Sequence, residues 1–171
     1  MERRLQDIKL LVMDVDGVLT DGTILVGNFD DEYRAFNVQD GLGLVLWHRA
    51  GGLSAIFTSK SSAAVRRQAR ELQIPKVFQR VKDKKKAFEK ILAQYRLAPE
   101  NACYIGDDLI DIPVLKAAGF GVTVPDAPDE VRRVAQYVTK RSAGKGAVRE
   151  TVEYILKAQQ QWDALLKDFE A

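Results

Sequence analysis

Two carboxylates at the end of an apolar run constrain this chain more than any other feature. Ile8-Lys9-Leu10-Leu11-Val12-Met13 is followed at once by Asp14-Val15-Asp16-Gly17. A short, mostly apolar segment of this kind reads as a buried strand. Ending it in Asp-x-Asp puts charge where open α/β sheets keep their active sites. Packing gives no reason for that charge, so the pair asks for a chemical one.

The rest of the chain supplies the matching architecture. Strand-like and helix-like segments alternate, which predicts an α/β fold, a Rossmann-like three-layer sandwich around a mainly parallel sheet. At 171 residues it is expected to form one domain over 1–171. Thr23-Ile24-Leu25-Val26 and Glu32-Tyr33-Arg34-Ala35-Phe36, joined by Gly27-Asn28-Phe29-Asp30-Asp31, predict a projecting hairpin at about 22–36. A helix is expected to open at Asp40-Gly41 and end near Gly51-Gly52, and Leu53–Phe57 is the next strand, stopping at Thr58. Ser61 or Ser62 caps a helix to about Leu72, Val77–Gln79 is a short strand, and Asp83 caps the next helix.

Lys82, Lys84, Lys85 and Lys86 crowd the start of that helix, the wrong end for cations beside its dipole, so at least one is expected to face an anion. Ala102–Ile105 is a strand ending in Gly106-Asp107-Asp108-Leu109-Ile110-Asp111, and Phe120–Val124 is another. Asp129 is expected to cap a short helix before a last strand at Tyr137–Thr139. After Gly144-Lys145-Gly146, a C-terminal helix and tail at about 147–171 places Val148, Val152, Ile155, Gln159, Trp162, Leu166 and Phe169 on one stripe, facing either the core or a partner.

Composition removes several classes of function. A net charge of +2 gives no reason to expect a nucleic-acid or anionic-membrane partner. The single cysteine, Cys103, excludes an internal disulfide and a cysteine-built zinc site, and its apolar setting reads as a small buried hydrophobe. No run approaches the ~20 apolar residues of a membrane span. Charges at positions 2–4 before a short apolar segment do not make a signal peptide, so a cytoplasmic location is expected. His48 is given no role.

Carboxylates that converge at strand ends repel one another by about 4 kcal/mol per pair at 4 Å and an effective dielectric of 20. Asp14, Asp16, Asp107 and Asp108 therefore call for retained protons or a cation. Oxygen ligands without histidine or cysteine select a hard ion, Mg²⁺ above others. Thr58 adds a hydroxyl and Lys84 a fixed charge, which together make a receptor for a phosphoryl group. Asp14, fixed at the strand end, is the better nucleophile, and Asp16 on the following turn is freer to move protons.

Asp-Val-Asp-Gly-Val-Leu-Thr, Thr58, Lys84 and Gly106-Asp107-Asp108-x-x-x-Asp111 resemble, in order and spacing, the four motifs of the haloacid dehalogenase-like phosphatases. Leu19-Thr20-Asp21-Gly22, Phe36-Asn37-Val38-Gln39-Asp40-Gly41, Tyr104 to Asp111 and Gly144 to Glu150 are similar to the subfamily of 3-deoxy-D-manno-octulosonate 8-phosphate phosphatases. That resemblance implies a Mg²⁺-dependent phosphomonoesterase without a cap domain, acting in lipopolysaccharide precursor synthesis as a homotetramer whose hairpins form a barrel. It implies Asp14 as nucleophile and metal ligand, Asp16 as general acid/base with its carbonyl on the metal, and Asp107 as third ligand. Asp108 and Asp111 would orient the site, and Thr58 and Lys84 would hold phosphate. Asn37, Val38, Gln39, Asp40, Gly41 and Lys60 would meet the sugar acid.

The chain departs from the subfamily at Val45, Ser59, Lys60, Gln68 and Arg80. Lys60 replaces a bidentate carboxylate clamp with a point charge. These departures leave other substrates open, namely a nine-carbon ulosonate 9-phosphate or a range of sugar phosphates. A phosphotransferase and a non-catalytic scaffold are the readings from other classes, and the intact Asp14 and Asp16 count against the scaffold.

Overall fold

The computed structural model describes residues 5–29 and 31–169. In chain order, β1 (Leu10–Met13) leads into a hairpin of β2 (Leu25–Val26) and β3 (Glu32–Tyr33). Then come α1 (Val38–Arg49), β4 (Leu53–Phe57), α2 (Ala63–Glu71), β5 (Lys76–Phe78), α3 (Lys84–Tyr95) and β6 (Ala102–Ile105). The remainder is α4 (Ile112–Ala117), β7 (Phe120–Thr123), α5 (Asp129–Val134), β8 (Tyr137–Val138), α6 (Ala147–Ala158) and α7 (Trp162–Leu166).

The main sheet runs β5-β4-β1-β6-β7-β8 with every pairing parallel. β1 sits inside it, its side chains shut off from solvent on both faces, which is why its sequence is continuously apolar. Alternation along the strands splits the core in two. Leu11, Met13, Ile56 and Ile105 pack with Leu44, Trp47, Val65, Val148, Val152 and Ile155 of α1, α2 and α6. Leu10, Val12, Phe57 and Tyr104 pack with Phe88, Ile91, Val114, Leu115 and Val131 of α3, α4 and α5. Each such aliphatic or aromatic side chain stabilises the fold by roughly 1.5–3 kcal/mol. The chain winds outward from β1 to β4 and β5, then starts again at β6 on the other side of β1. The carboxyl ends of β1 and β6 are therefore the switch point, where such sheets open a crevice.

The structure revises several local expectations. The hairpin pairs only Leu25 with Tyr33 and Val26 with Glu32, and Asp30 in its loop lies outside the described residues. α1 starts earlier than Asp40-Gly41, because the Asn37 side chain accepts the Gln39 amide at 2.8 Å and caps it. Pro128 takes the cap position of α5, so Asp129 is its first helical residue. The C-terminal stripe is not one helix. Gln159 donates its side-chain amide to the Leu5 and Ile8 carbonyls, both at 2.9 Å, and Gln160 turns left-handed at φ 57°. The chain then re-enters as α7, so Val148, Val152, Ile155 and Trp162 face the core while Phe169 stays exposed. Glu170 and Ala171 of the expected tail lie outside the described residues. Among the described residues, no helix is long and apolar enough to cross a membrane.

Candidate active site

Asp14 extends the β1–β6 ladder by one bond, its N–H donating to the Ile105 carbonyl at 3.0 Å. That bond leaves little freedom in its backbone, and its side chain is also held. Oδ1 accepts the Val15 amide at 2.7 Å, and Oδ2 accepts Lys84 Nζ at 2.5 Å. Lys84 is the first residue of α3, directly after the Asp83 cap, and it is almost wholly buried. Its ammonium also donates to Asp111 Oδ1 at 2.6 Å. The lysine at the unfavourable end of a helix dipole thus faces two carboxylates. Asp111, fully buried, also accepts the Tyr104 hydroxyl on Oδ1 at 2.5 Å and the amides of Asp107 and Asp108 on Oδ2, each at 3.1 Å.

Carboxylate oxygens of Asp14, Asp107 and Asp111 all lie within 4.8 Å of one another. Burial and the charge of Asp111 raise the pKa of Asp14 to about 6 against the pull of Lys84. Burial, then Asp14 and Asp111, push Asp107 up to about 7. Burial works against the Lys84 charge, but the same two carboxylates carry its pKa above the ordinary value. Asp107 Oδ1 is buried and has no hydrogen-bond partner among the described residues. Asp111 already satisfies four donors, so the open ligand capacity belongs to Asp14 and Asp107.

Gly17 makes that arrangement possible. Its φ is +92°, and a β-carbon there would stand 1.9 Å from Asp107 Oδ2. Thr58 follows β4, is buried, and accepts the Lys60 amide on its Oγ1 at 3.2 Å, which leaves its hydroxyl hydrogen to donate.

Asp16 does not join the carboxylate cluster. Its Oδ1 accepts Arg34 Nε at 2.7 Å. Burial opposes the charge on Arg34, yet its hydrogen bonds to Asp16 and Glu32 raise its pKa above the usual value. Arg34 has no role in the sequence reading, where Tyr104 enters only as the start of a motif and Ser62 only as a candidate helix cap, which the structure bears out. A signal for Arg34 was present, since it is the only basic residue between Asp14 and Trp47. Tyr104 looked like any core aromatic on a strand.

The residues expected to meet a sugar acid separate into two groups. Val38 and Lys60 are exposed, and Gln39 Oε1 accepts Arg141 Nη1 at 2.7 Å. Asn37 is spent on its cap and on the Gly144 carbonyl at 3.3 Å. Asp40 is buried and accepts the Gly146 amide at 3.2 Å and the Arg149 amide at 2.8 Å, which fastens the start of α6 to the start of α1. Gly41 faces Leu72, 3.1 Å from where a β-carbon would stand. Asp108 is exposed and accepts the Leu109 amide at 2.7 Å. His48, left without a role, pairs its Nε2 with Ser54 Oγ at 2.6 Å.

Residues 54–151 match the family model of haloacid dehalogenase-like hydrolases. The chain is 41% identical over 158 residues to the 3-deoxy-D-manno-octulosonate 8-phosphate phosphatase of Escherichia coli K12, covering 92% of this chain and 84% of that one. The chain belongs to the haloacid dehalogenase-like hydrolase family. Among solved members, the Moraxella catarrhalis 3-deoxy-D-manno-octulosonate 8-phosphate phosphatase, in complex with magnesium, phosphate and KDO, superposes with a TM-score of 0.97 at 42% identity, covering 98% and 97% of the two chains. The cobalt-bound Haemophilus influenzae deoxy-D-mannose-octulosonate 8-phosphate phosphatase superposes at 0.91 and 34% identity, covering 94% of each chain.

The residues of this chain fit the family's magnesium. An orphaned buried carboxylate oxygen on Asp107, beside an Asp14 that holds its proton too tightly for an exposed acid, is what a hard dication relieves.

Proposed function

We propose that this chain hydrolyses 3-deoxy-D-manno-octulosonate 8-phosphate to the free sugar acid and inorganic phosphate. One observation carries the chemistry: Asp14, fixed at the switch point of the sheet, lies beside an unpartnered Asp107 oxygen and a buried lysine. The substrate reading is supported by relatives that share about two residues in five along nearly the whole chain.

In this reading Asp14 attacks phosphorus, and a bond from its oxygen forms as the bond from phosphorus to the sugar oxygen breaks. Asp16 gives the departing oxygen its proton and then takes one from the water that cleaves the aspartyl-phosphate. Lys84 has three donors and spends two on Asp14 and Asp111, so the third is left for a phosphoryl oxygen. Thr58 offers its hydroxyl to another. Asp111 and Tyr104 hold Lys84 and the Asp107 backbone in place, and Asp108 fixes the turn that carries them. Asp14, Asp107 and the Asp16 carbonyl would hold Mg²⁺, which would supply the charge that lets anionic groups meet. Val38, Gln39 and Lys60 form the rim toward the sugar acid, while Asn37, Asp40 and Gly41 shape it from behind.

Leu25, Val26, Phe29, Tyr33 and Val38 are exposed and apolar on and next to the hairpin. A monomer gains nothing by exposing them, and this supports a homotetramer joined through the hairpins, which sedimentation velocity would measure. A cytoplasmic location fits the one buried, unpaired Cys103.

The test is a comparison of kcat/KM for octulosonate 8-phosphate, a nine-carbon ulosonate 9-phosphate and hexose phosphates, with Mg²⁺ present and then chelated. Octulosonate 8-phosphate is expected to lead, and chelation to stop turnover. Equal rates on hexose phosphates would refute the substrate, and activity that survives Asp14→Asn would refute the mechanism.

A further inference from the structure

Arg34 lies just past β3, and its side chain is wholly shielded from solvent. Nε donates to Asp16 Oδ1 at 2.7 Å, and Nη1 donates to Glu32 Oε1 at 2.7 Å and to Ser62 Oγ at 3.0 Å. Ser62 also caps α2, so the hairpin, the β1 turn and the start of α2 all grip one guanidinium. Nη2 is buried and has no hydrogen-bond partner among the described residues. The five donors of a guanidinium lie in one rigid plane, so fixing Nε and Nη1 also fixes where the Nη2 hydrogens point. A buried charged donor left unpaired is costly, more so than a neutral one. The site is built to receive an acceptor there.

We infer, building on the reaction proposed above, that Arg34 is a substrate-binding residue whose Nη2 edge takes the carboxylate of the leaving sugar acid. Its neighbour decides which half of the substrate it meets. Asp16 is the group that reaches the departing oxygen, whereas Thr58 and Lys84 hold the phosphoryl group. Among the described residues, the hydrogen bonds of Arg34 go to Asp16 and to neither of those two. The backbone of Arg34 also borders an open hollow of about 220 Å³ beside the hairpin, with Asp21, Thr23, Leu25, Tyr33 and Ala35. A planar fork matches a carboxylate in a way that the point charge of Lys60 does not. The hairpin thus carries specificity for acidic leaving groups in addition to its apolar outer face.

The test separates the two halves of the substrate. Binding of free 3-deoxy-D-manno-octulosonate and of inorganic phosphate to the Mg²⁺-loaded protein is measured by titration calorimetry for the wild type, R34Q and R34K. R34Q is expected to weaken the sugar acid by about tenfold or more and phosphate by less than about threefold, as loss of a charge-assisted hydrogen bond to one partner implies. R34K keeps the charge and loses the fork, so it falls between, and it remains informative if R34Q does not fold. Equal weakening of both ligands, or of phosphate alone, would move Arg34 to the phosphoryl side and overturn the inference. Unchanged binding of both would reduce Arg34 to a brace for Asp16 and overturn it as well. A wild type that binds phosphate but no sugar acid would refute the substrate reading itself, and the Arg34 assignment with it.

Discussion

Replacing Lys84 by methionine removes the cation that Asp14 and Asp111 share at 2.5 and 2.6 Å, while keeping most of the side-chain volume. Removing one partner of a buried ion pair costs about 3–5 kcal/mol, because the other charge stays buried without compensation. That is a large part of the roughly 5–15 kcal/mol by which a native domain is stable. For a chain of this size it corresponds to a melting temperature lower by on the order of 10 °C. The loss must depend on pH. Burial holds the Asp14 pKa up at about 6 against the pull of the lysine, and without the lysine the carboxyl is pushed higher. A raised carboxyl pKa contributes stability at acid pH that disappears as pH rises through the folded-state value. The variant should therefore lie closest to the wild type near pH 5, where Asp14 carries a proton and can donate to Asp111. The full deficit should be seen near pH 8. Urea unfolding followed by circular dichroism, in chelator so that no metal compensates, measures both. A deficit below about 1 kcal/mol near pH 8, the worth of a surface pair, would refute the reasoning. So would a deficit that is the same at the two pH values.

Other expected outcomes follow from the same geometry. With chelator, stability held by protonated Asp14 and Asp107 is lost as pH rises through about 6 and about 7, so Mg²⁺ should raise the melting temperature more near pH 8 than near pH 5. Equal increments at both pH values would rule this out. Gly17→Ala drives a methyl group into Asp107 at a φ of +92°, so Mg²⁺ affinity should fall about 10–100-fold, the usual effect of disturbing a ligand's support. Metal titration that shows wild-type affinity would contradict that. Asp40→Ala leaves the Gly146 and Arg149 amides without their acceptor and should cost about 2–4 kcal/mol in urea unfolding. A raised KM for the sugar acid phosphate with unchanged stability would instead make Asp40 a substrate contact.

Much of the chemistry was legible before any coordinates. Asp14, Thr58, Lys84 and Asp107 each stand at or just beyond a strand end, and strand ends in a parallel sheet converge whatever the intervening loops do. The crowding of lysines at the start of α3 announced an anion, and Lys84 met two carboxylates. Less legible were the pairings that depend on where a side chain points in three dimensions. Arg34 reads as an ordinary hairpin residue until the hairpin folds back over Asp16. Asp40 reads as the opening of a helix and, by resemblance, as a sugar-acid contact, until α6 arrives, more than a hundred positions later, with amides in need of an acceptor. The C-terminal heptad-like stripe broke because Gln159 found the Leu5 and Ile8 carbonyls, a contact between opposite ends of the chain.

The amino-acid order by itself determined the layer architecture, the switch point and the carboxylates that gather there, because these follow from apolar periodicity and from local strand and helix termini. Only the tertiary structure decided how the charges are shared out. It gave Lys84 to Asp14 and Asp111, Arg34 to Asp16, and left one oxygen of Asp107 open. Ion pairs between distant segments depend on distances of a few ångströms and on burial, and neither is written in the spacing of residues along a chain.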